Sequence, residues 1–180
     1  MKHAAIALLL MLALPLAAAT PEPERIDACA LLDAAQIERA IGHAVEPGVR
    51  DDAGMESNGA WSSSCVWAFT QQAGEPQGRR FVILNAMQWP PGSGRAHEFL
   101  DSFREAAASG VLARQPSARA FGDEALWWGD GLAVRKRDAS FGLSVFWPRS
   151  PAKTPGLLEE RLAPLVLSRL DRHQAALSKH

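Results

Sequence analysis

Apolar residues recur with the period of a helix in two stretches of the first two thirds of the chain. One helix is predicted to begin after Asp33, a suitable N-cap, with Gln36 three residues later as the second half of a capping box. It should end at Gly42. The second spans residues 93–110, and its apolar face consists of Phe99, Leu100, Phe103 and Ala107.

A third helix is predicted over residues 154–177, with Thr154 as its N-cap and Pro155 at its first position. Pro164 lies within the pattern. Because proline removes a backbone donor from the helix interior, we expect a kink or two separate helices there. The buried face consists of Leu158, Leu162, Leu165, Val166 and Leu170.

Alternating patterns predict two groups of strands between these helices. The polar, Gly- and Ser-rich residues 46–64 read as a loop. The predicted strands are 65–69 and 79–89, joined by the turn 71–78, and then 124–128, 132–136 and 140–147. The order α-ββ-α-βββ-α predicts an α+β domain over residues 26–177, with helices packed on a mostly antiparallel sheet.

The stretch "FGDEALWWGDGLAVRK", residues 121–136, most resembles either a hairpin or a binding site. Asp130 and Gly131 suggest a tight turn, since this pair supplies the positive φ angles that such turns require. Neighbours on a strand point to opposite faces, so one of Trp127 and Trp128 should be core and the other exposed or under a helix. Cation binding is the alternative, although the spacing fits no calcium loop. Its ligands would be Asp123, Glu124 and Asp130.

Residues 1–19 have the features of a signal peptide: a basic start at Lys2, an apolar run, and small residues at Ala17 and Ala19. We expect cleavage after Ala19, a short leader over residues 20–25, and a protein located in the periplasm or the medium. The apolar run is too short and alanine-rich for a membrane span. No cysteine stands at the cleavage point for lipid attachment.

The formal net charge of −1 argues against nucleic acid or an anionic membrane as the main partner. The chain has two cysteines, Cys29 and Cys65. In an exported chain an even count predicts a disulfide. The alternative is two free thiols with one acting as a nucleophile, but Cys29 has no flanking His or Lys, and Cys65 opens a predicted strand.

Other chemistry-bearing residues give weaker signals. Arg95 and nearby glycines at a helix start could hold an anion, but the lysine of a phosphate loop is missing. Ser62–Ser64 lie in no nucleophile elbow, and neither His43 nor His173 pairs with a serine in sequence. One helix face carries His97, Asp101 and Glu105. These residues could offer a metal two ligands, although a solvated polar face explains the pattern equally well. The sequence therefore predicts no catalytic residue, metal or cofactor.

The chain contains six tryptophans and no tyrosine. Trp61 in the predicted loop and Trp89 before two prolines are poorly explained by core alternation, and Trp128 is the uncertain member of its pair. Aromatic side chains at such positions can stack on a ligand or a partner. They can also fold back onto the domain. We take Trp61, Trp89 and Trp128 as the candidate binding residues.

Three segments resemble a family of small exported bacterial proteins and lipoproteins known as a domain of unknown function. They are "IDACALLDAAQIERAIG" (26–42), "CVW" (65–67) and "FGDEALWWGDGLAVRKRDASFGLSVF" (121–146). The family places one cysteine at the opening of the first helix, a second at C-x-W, and a G-x-E-A strand before a Gly-turned hairpin. The resemblance implies a PsbP-like α/β/α sandwich and transfers no activity. Cys29 lies ten residues beyond the expected cleavage site, unlike the lipid-anchored members.

We therefore expect an exported module that binds an unknown small ligand or a protein partner. A periplasmic inhibitor or immunity-type protein is one alternative, and it predicts an exposed apolar patch that includes Trp61 or Trp128. An enzyme of unfamiliar design is the other. It requires a concave pocket where carboxylates or a histidine converge, near Asp123, Glu124 or His97.

Overall fold

The computed structural model describes residues 25–70, 80–147 and 157–177. The helices are α1 (Ala28–Leu31), α2 (Ala34–Ile41), α3 (Glu98–Ala108) and α4 (Leu157–Leu177), with a 3-10 turn at Arg95–His97 before α3. The strands are β1 (Val49–Met55), β2 (Trp61–Ala68), β3 (Phe81–Gln88), β4 (Ser117–Arg119), β5 (Glu124–Trp127), β6 (Leu132–Lys136) and β7 (Ala139–Phe146). The predicted signal peptide, most of the leader, the turn 71–78, and the caps Thr154 and Pro155 lie outside the described residues.

The seven strands form one sheet in the order β1-β2-β3-β7-β6-β5-β4, and every neighbouring pair is antiparallel. In the centre, β3 pairs with β7 along its whole length, from Phe81 opposite Phe146 to Gln88 opposite Ala139. The register also places Trp61 opposite Gln88, at the same end of the sheet. The predicted α+β class with a mostly antiparallel sheet is confirmed.

Helices cover both faces of this sheet. Helices α1, α2 and α4 pack on one face through the main core, and α3 packs on the other face over β5 and β6. The main core is centred on Trp67, Leu84, Phe141, Leu143, Leu162 and Val166. Because β7 is covered on both faces, its residues from Ala139 to Val145 are all buried.

The predicted loop over residues 46–64 is wrong. The structure instead forms β1 there and starts β2 at Trp61, and the predicted element order also lacked β4. Strand β1 lies at the edge of the sheet, with its register shifted between Asp51 and Gly54. An edge strand is held by backbone hydrogen bonds and needs no apolar alternation, so its polar composition resembled a loop.

Pro164 lies inside α4, which runs without a break from Leu157 to Leu177. The expectation of two separate helices is therefore wrong. Pro164 is exposed, and because it has no N–H the carbonyl one turn earlier loses its backbone partner. Meanwhile Leu162, Val166 and Leu170 are buried on the opposite side, and this packing holds the two halves in one helix.

The hairpin of β5 and β6 is confirmed, but its turn chemistry differs from the expectation. The backbone N–H of Trp128 donates to the carbonyl of Gly131 at 3.1 Å, and the positive φ of 117° belongs to Gly129. Gly131 is needed for space, since a Cβ there would lie 2.3 Å from Ser144 Oγ. Trp127 enters the main core and Trp128 packs under α3, on opposite faces as predicted.

The predicted disulfide is present between Cys29 in α1 and Cys65 in β2, with the two Cα atoms 5.1 Å apart. It ties the first helical segment to the sheet. The capping box is also confirmed. The Asp33 carboxylate accepts from the backbone N–H of Gln36, and the Gln36 side-chain oxygen accepts from the backbone N–H of Asp33. In the described part of the chain, no helix has the length and apolar character to cross a membrane.

Candidate functional site

Trp128 fills space between α3 and the sheet. Its ring stacks on Phe103 of α3 with centroids 4.4 Å apart, and an added Cβ at Gly131 or Gly142 would lie within 4 Å of it. The side chain is half-buried. This position makes Trp128 a packing residue of the second, smaller core, and the ring has little free surface for a ligand.

Two of the three acidic residues in residues 121–136, Asp123 and Glu124, are held in ion pairs. Asp123 contacts Arg135 at 3.6 Å and Lys136 at 3.4 Å. Glu124 bonds to Arg104 of α3 and lies 3.4 Å from Arg135 Nε. These carboxylates already have cationic partners, so they are poorly placed to hold a cation. Within the described residues, no cluster of three His, Cys, Asp or Glu side chains is arranged as a metal site.

Asp123 makes stability depend on pH. Burial opposes its ionisation, but the backbone N–H of Arg137 and the charges of Lys136 and Arg135 outweigh burial and lower its pKa below 3.8. Because the pKa is lower in the folded chain, its stabilising effect is present above pH 3.8 and is lost as the pH falls through the folded value.

We therefore expect Asp123→Asn to lose less stability than the wild type when the pH is lowered from 5 to 2. The difference should be at most about 1 kcal/mol, since the group is partly solvated. Urea unfolding at several pH values measures it. Asp130→Asn is the matched control, because Asp130 makes no ion pair among the described residues and its variant should follow the wild type. Identical pH profiles for all three proteins would contradict the assignment.

The remaining polar candidates have structural roles. Arg95 bonds to Glu98 at 2.5 Å and to the Asn58 carbonyl at 2.8 Å, which fastens the start of α3 to the β1–β2 connection. His97 Nδ1 donates to the Gly94 carbonyl, 2.7 Å away, while Asp101 pairs with Arg104. Among the serines, buried Ser63 accepts the Ala28 N–H through its Oγ at 3.0 Å. None of these side chains forms a nucleophile–base pair in the described structure.

Trp61 begins β2 and is half-buried against the main core. The Arg25 guanidinium lies 4.0 Å from its ring centroid, a cation–π contact. Arg25 also borders an open groove of about 460 Å³ between α1 and α4. Two charged residues of this groove are paired, Asp27 with Arg50 at 2.8 Å and Arg169 with Asp33. The groove is wide, and these ion pairs already neutralise part of the charge of its lining residues.

Trp89 is buried, with 1% of its surface exposed, so the exposed aromatic that its loop position suggested is not found. The chain leaving β3 folds under Ala60 and Ala96, and these two residues cover the indole. The backbone N–H of Trp89 donates to the Asp138 carbonyl at 2.9 Å. This bond attaches Trp89 to the turn between β6 and β7.

A cavity of about 160 Å³ lies beside Trp89. It sits where the end of β3, the β6–β7 turn and the end of α4 meet. Gln174 of α4 docks on this turn by donating to the Lys136 carbonyl at 2.9 Å. The lining residues are Gln88, Trp89, Pro91, Arg137, Asp138, Gln174 and Leu177. The indole N–H of Trp89 is buried and finds no hydrogen-bond acceptor among the described residues.

Sequence reasoning missed most of this cavity. Arg137 and Asp138 lie between the predicted strands 132–136 and 140–147, and Gln174 lies within the predicted helix 154–177, so neither position indicated a cavity. One signal was available: the three-residue gap between the predicted strands 132–136 and 140–147 required a tight turn there. In the structure Arg137 lies in that turn with a positive φ of 51°. The backbone N–H of Arg137 donates to Asp123 at 2.6 Å, which holds that turn in place.

The chain was compared with protein-family models, with curated proteins and with solved structures, and none of them matches it. The arguments below therefore rest on the geometry of this chain.

Proposed function

We propose that the protein is an exported binding module that holds a small ligand in the cavity beside Trp89. The observation that carries this proposal is a cavity that is walled by a 99%-buried tryptophan and lined by Arg137 and Asp138, whose charges make no ion pair among the described residues. Ligand sites typically combine apolar walls with a few such polar groups.

Export is part of the same proposal. A signal peptide over residues 1–19 would deliver the chain to an oxidising compartment, and the Cys29–Cys65 bond is of the kind that persists there. Helices on both faces of an antiparallel sheet support the PsbP-like sandwich implied by the family resemblance. We include that family membership in the proposal.

Native mass spectrometry of the mature protein, purified from the periplasm without denaturation, tests the binding function. We expect a retained small molecule that disappears in Leu177→Trp, which fills the cavity. Ala176→Trp is the matched control, since it places the same indole on the exposed side of α4, and it should keep the ligand. An empty protein, together with no response of the Trp89 indole resonance to a library of small fragments, would contradict the proposal.

A second candidate function is binding of a protein partner along edge strand β1, as an inhibitor or immunity-type protein would do. The observation in its favour is that Val49 and Met55, at the two ends of β1, are 68% and 64% exposed. An inhibitor was expected to expose an apolar patch that includes Trp61 or Trp128, but both of these side chains are half-buried and the exposed apolar residues Val49 and Met55 lie on β1. A stoichiometric protein partner that is lost in Val49→Asp and kept in Leu177→Trp would favour this function over ligand binding.

A further inference from the structure

We infer that the cavity beside Trp89 takes a small zwitterionic amino acid, with its carboxylate at Arg137 and its ammonium group at Asp138. This inference rests on the proposed binding function and specifies its ligand. Three features carry it: the size of the cavity, the two opposite charges on its lining, and its apolar walls.

The cavity volume limits the ligand to a small molecule. An engineered protein cavity of about 150 Å³ accommodates benzene, so about 160 Å³ suits a ligand on the order of six to eight non-hydrogen atoms. Glycine, alanine, serine and valine fall at or near this size. A hexose or a dipeptide would extend beyond the cavity into solvent.

The charges on the lining are complementary to a molecule that carries both signs. The neighbouring cations Arg135 and Lys136 pair with Asp123, whereas the side chains of Arg137 and Asp138 make no ion pair among the described residues. A simple carboxylate would gain Arg137 but would be repelled by Asp138. A simple amine would be attracted by Asp138 but repelled by Arg137. A zwitterion satisfies both groups, which is the usual basis of electrostatic selectivity.

The uncharged part of the lining fits the rest of an amino acid. Pro91 and Leu177 provide apolar walls for a short side chain. Two backbone hydrogen bonds fix the turn that carries the two charges. The backbone N–H of Arg137 donates to the Asp123 carboxylate, and the backbone N–H of Trp89 donates to the Asp138 carbonyl. Such preorganisation reduces the ordering cost of binding.

The test compares alanine with two compounds that each lack one of its charged groups, propionate and ethylamine. The signal is the ¹H–¹⁵N resonance of the Trp89 indole, assigned by its absence in Trp89→Phe. We expect alanine to shift this resonance saturably, with a Kd about tenfold or more below those of propionate and ethylamine, which corresponds to about 1.4 kcal/mol. Equal affinity for alanine and propionate would overturn the inference, and so would an unshifted resonance with all three.

Variants assign the two charges. Arg137→Gln should weaken alanine and propionate together, and Asp138→Asn should weaken alanine while leaving propionate unchanged or improved. Arg172→Gln is the matched control, because this arginine of α4 borders the separate groove, and it should bind alanine like the wild type. Loss of alanine binding in the control but not in the two cavity variants would overturn the placement.

The same measurements separate failure of this inference from failure of the proposed function. If native mass spectrometry finds a retained molecule of another class, and alanine does not shift Trp89, the amino-acid inference is wrong and the binding function stands. If the purified protein is empty and neither alanine nor a fragment library shifts Trp89, both are wrong.

Discussion

Replacing both Cys29 and Cys65 by alanine is expected to lower the free energy of unfolding by about 4 kcal/mol, as loop-closure entropy gives for a sequence separation of 36 residues. The effect arises mainly because the crosslink restricts the unfolded chain. Alanine is preferable to serine here, since Cys65 is fully buried and a hydroxyl group would add a desolvation cost. Urea unfolding of the mature protein measures the change.

The reductant supplies the control for this prediction. Dithiothreitol should destabilise the wild type to about the level of the double variant and should leave the double variant unchanged. Thiol titration of the wild type in denaturant without reductant should find no reactive thiol. Two reactive thiols, or equal stability of variant and oxidised wild type, would show that the bridge does not form or does not stabilise the fold.

The sequence predicted those parts of the fold that depend on local patterns. The capping box at Asp33, the opposite faces of Trp127 and Trp128, and the face of α4 follow from periodicity and cap chemistry. The sequence-based prediction failed where the pairing of strands or tertiary packing determines the conformation. Strand β1 exists because β2 offers its backbone groups for pairing, and Pro164 is tolerated because packing on one side of α4 outweighs one lost hydrogen bond.

The candidate site was less accessible to sequence reasoning. Trp89 was identified as unusual from its position before two prolines, but the partners that give it a role come from the distant β6–β7 turn and the end of α4. The pairing of β3 with β7 is what brings Trp89 to Asp138. No short motif contains both, so only the long-range register of the sheet places these residues around one cavity.

Replacing Glu159 by alanine is expected to cost about 3 kcal/mol of folding free energy. This side chain is 1% exposed, and its carboxyl group accepts the backbone N–H of Val145 at 3.0 Å. The bond fastens the first turn of α4 to the end of β7. Its removal deletes a buried hydrogen bond to an acidic group and leaves a small cavity, and the two costs add.

Two variants isolate this hydrogen bond. Glu159→Gln keeps an acceptor oxygen of similar shape, so it should lose about 1 kcal/mol, less than half the effect of alanine. Glu160→Ala tests the adjacent, identical residue type. Glu160 is half-buried and pairs with Arg119 at 2.9 Å, and such a pair contributes at most about 1 kcal/mol. Equal losses for Glu159→Ala and Glu160→Ala in urea unfolding would refute the assignment.

The contrast between these two neighbouring glutamates also shows how a helical pattern should be read. Glu159 lies on the same face as Leu162, Val166 and Leu170, which are buried, whereas Leu158 and Leu165 are only half-buried. The position of Glu159 on the helix therefore agrees with its burial, although its residue type argues against burial and the predicted buried face did not include it. Where the two disagree, a buried acidic side chain requires a polar partner, and the end of β7 supplies one in the Val145 N–H. The measured difference between alanine and glutamine at this position combines the value of the polar contacts of the side chain, the Val145 N–H among them, with the cost of the cavity.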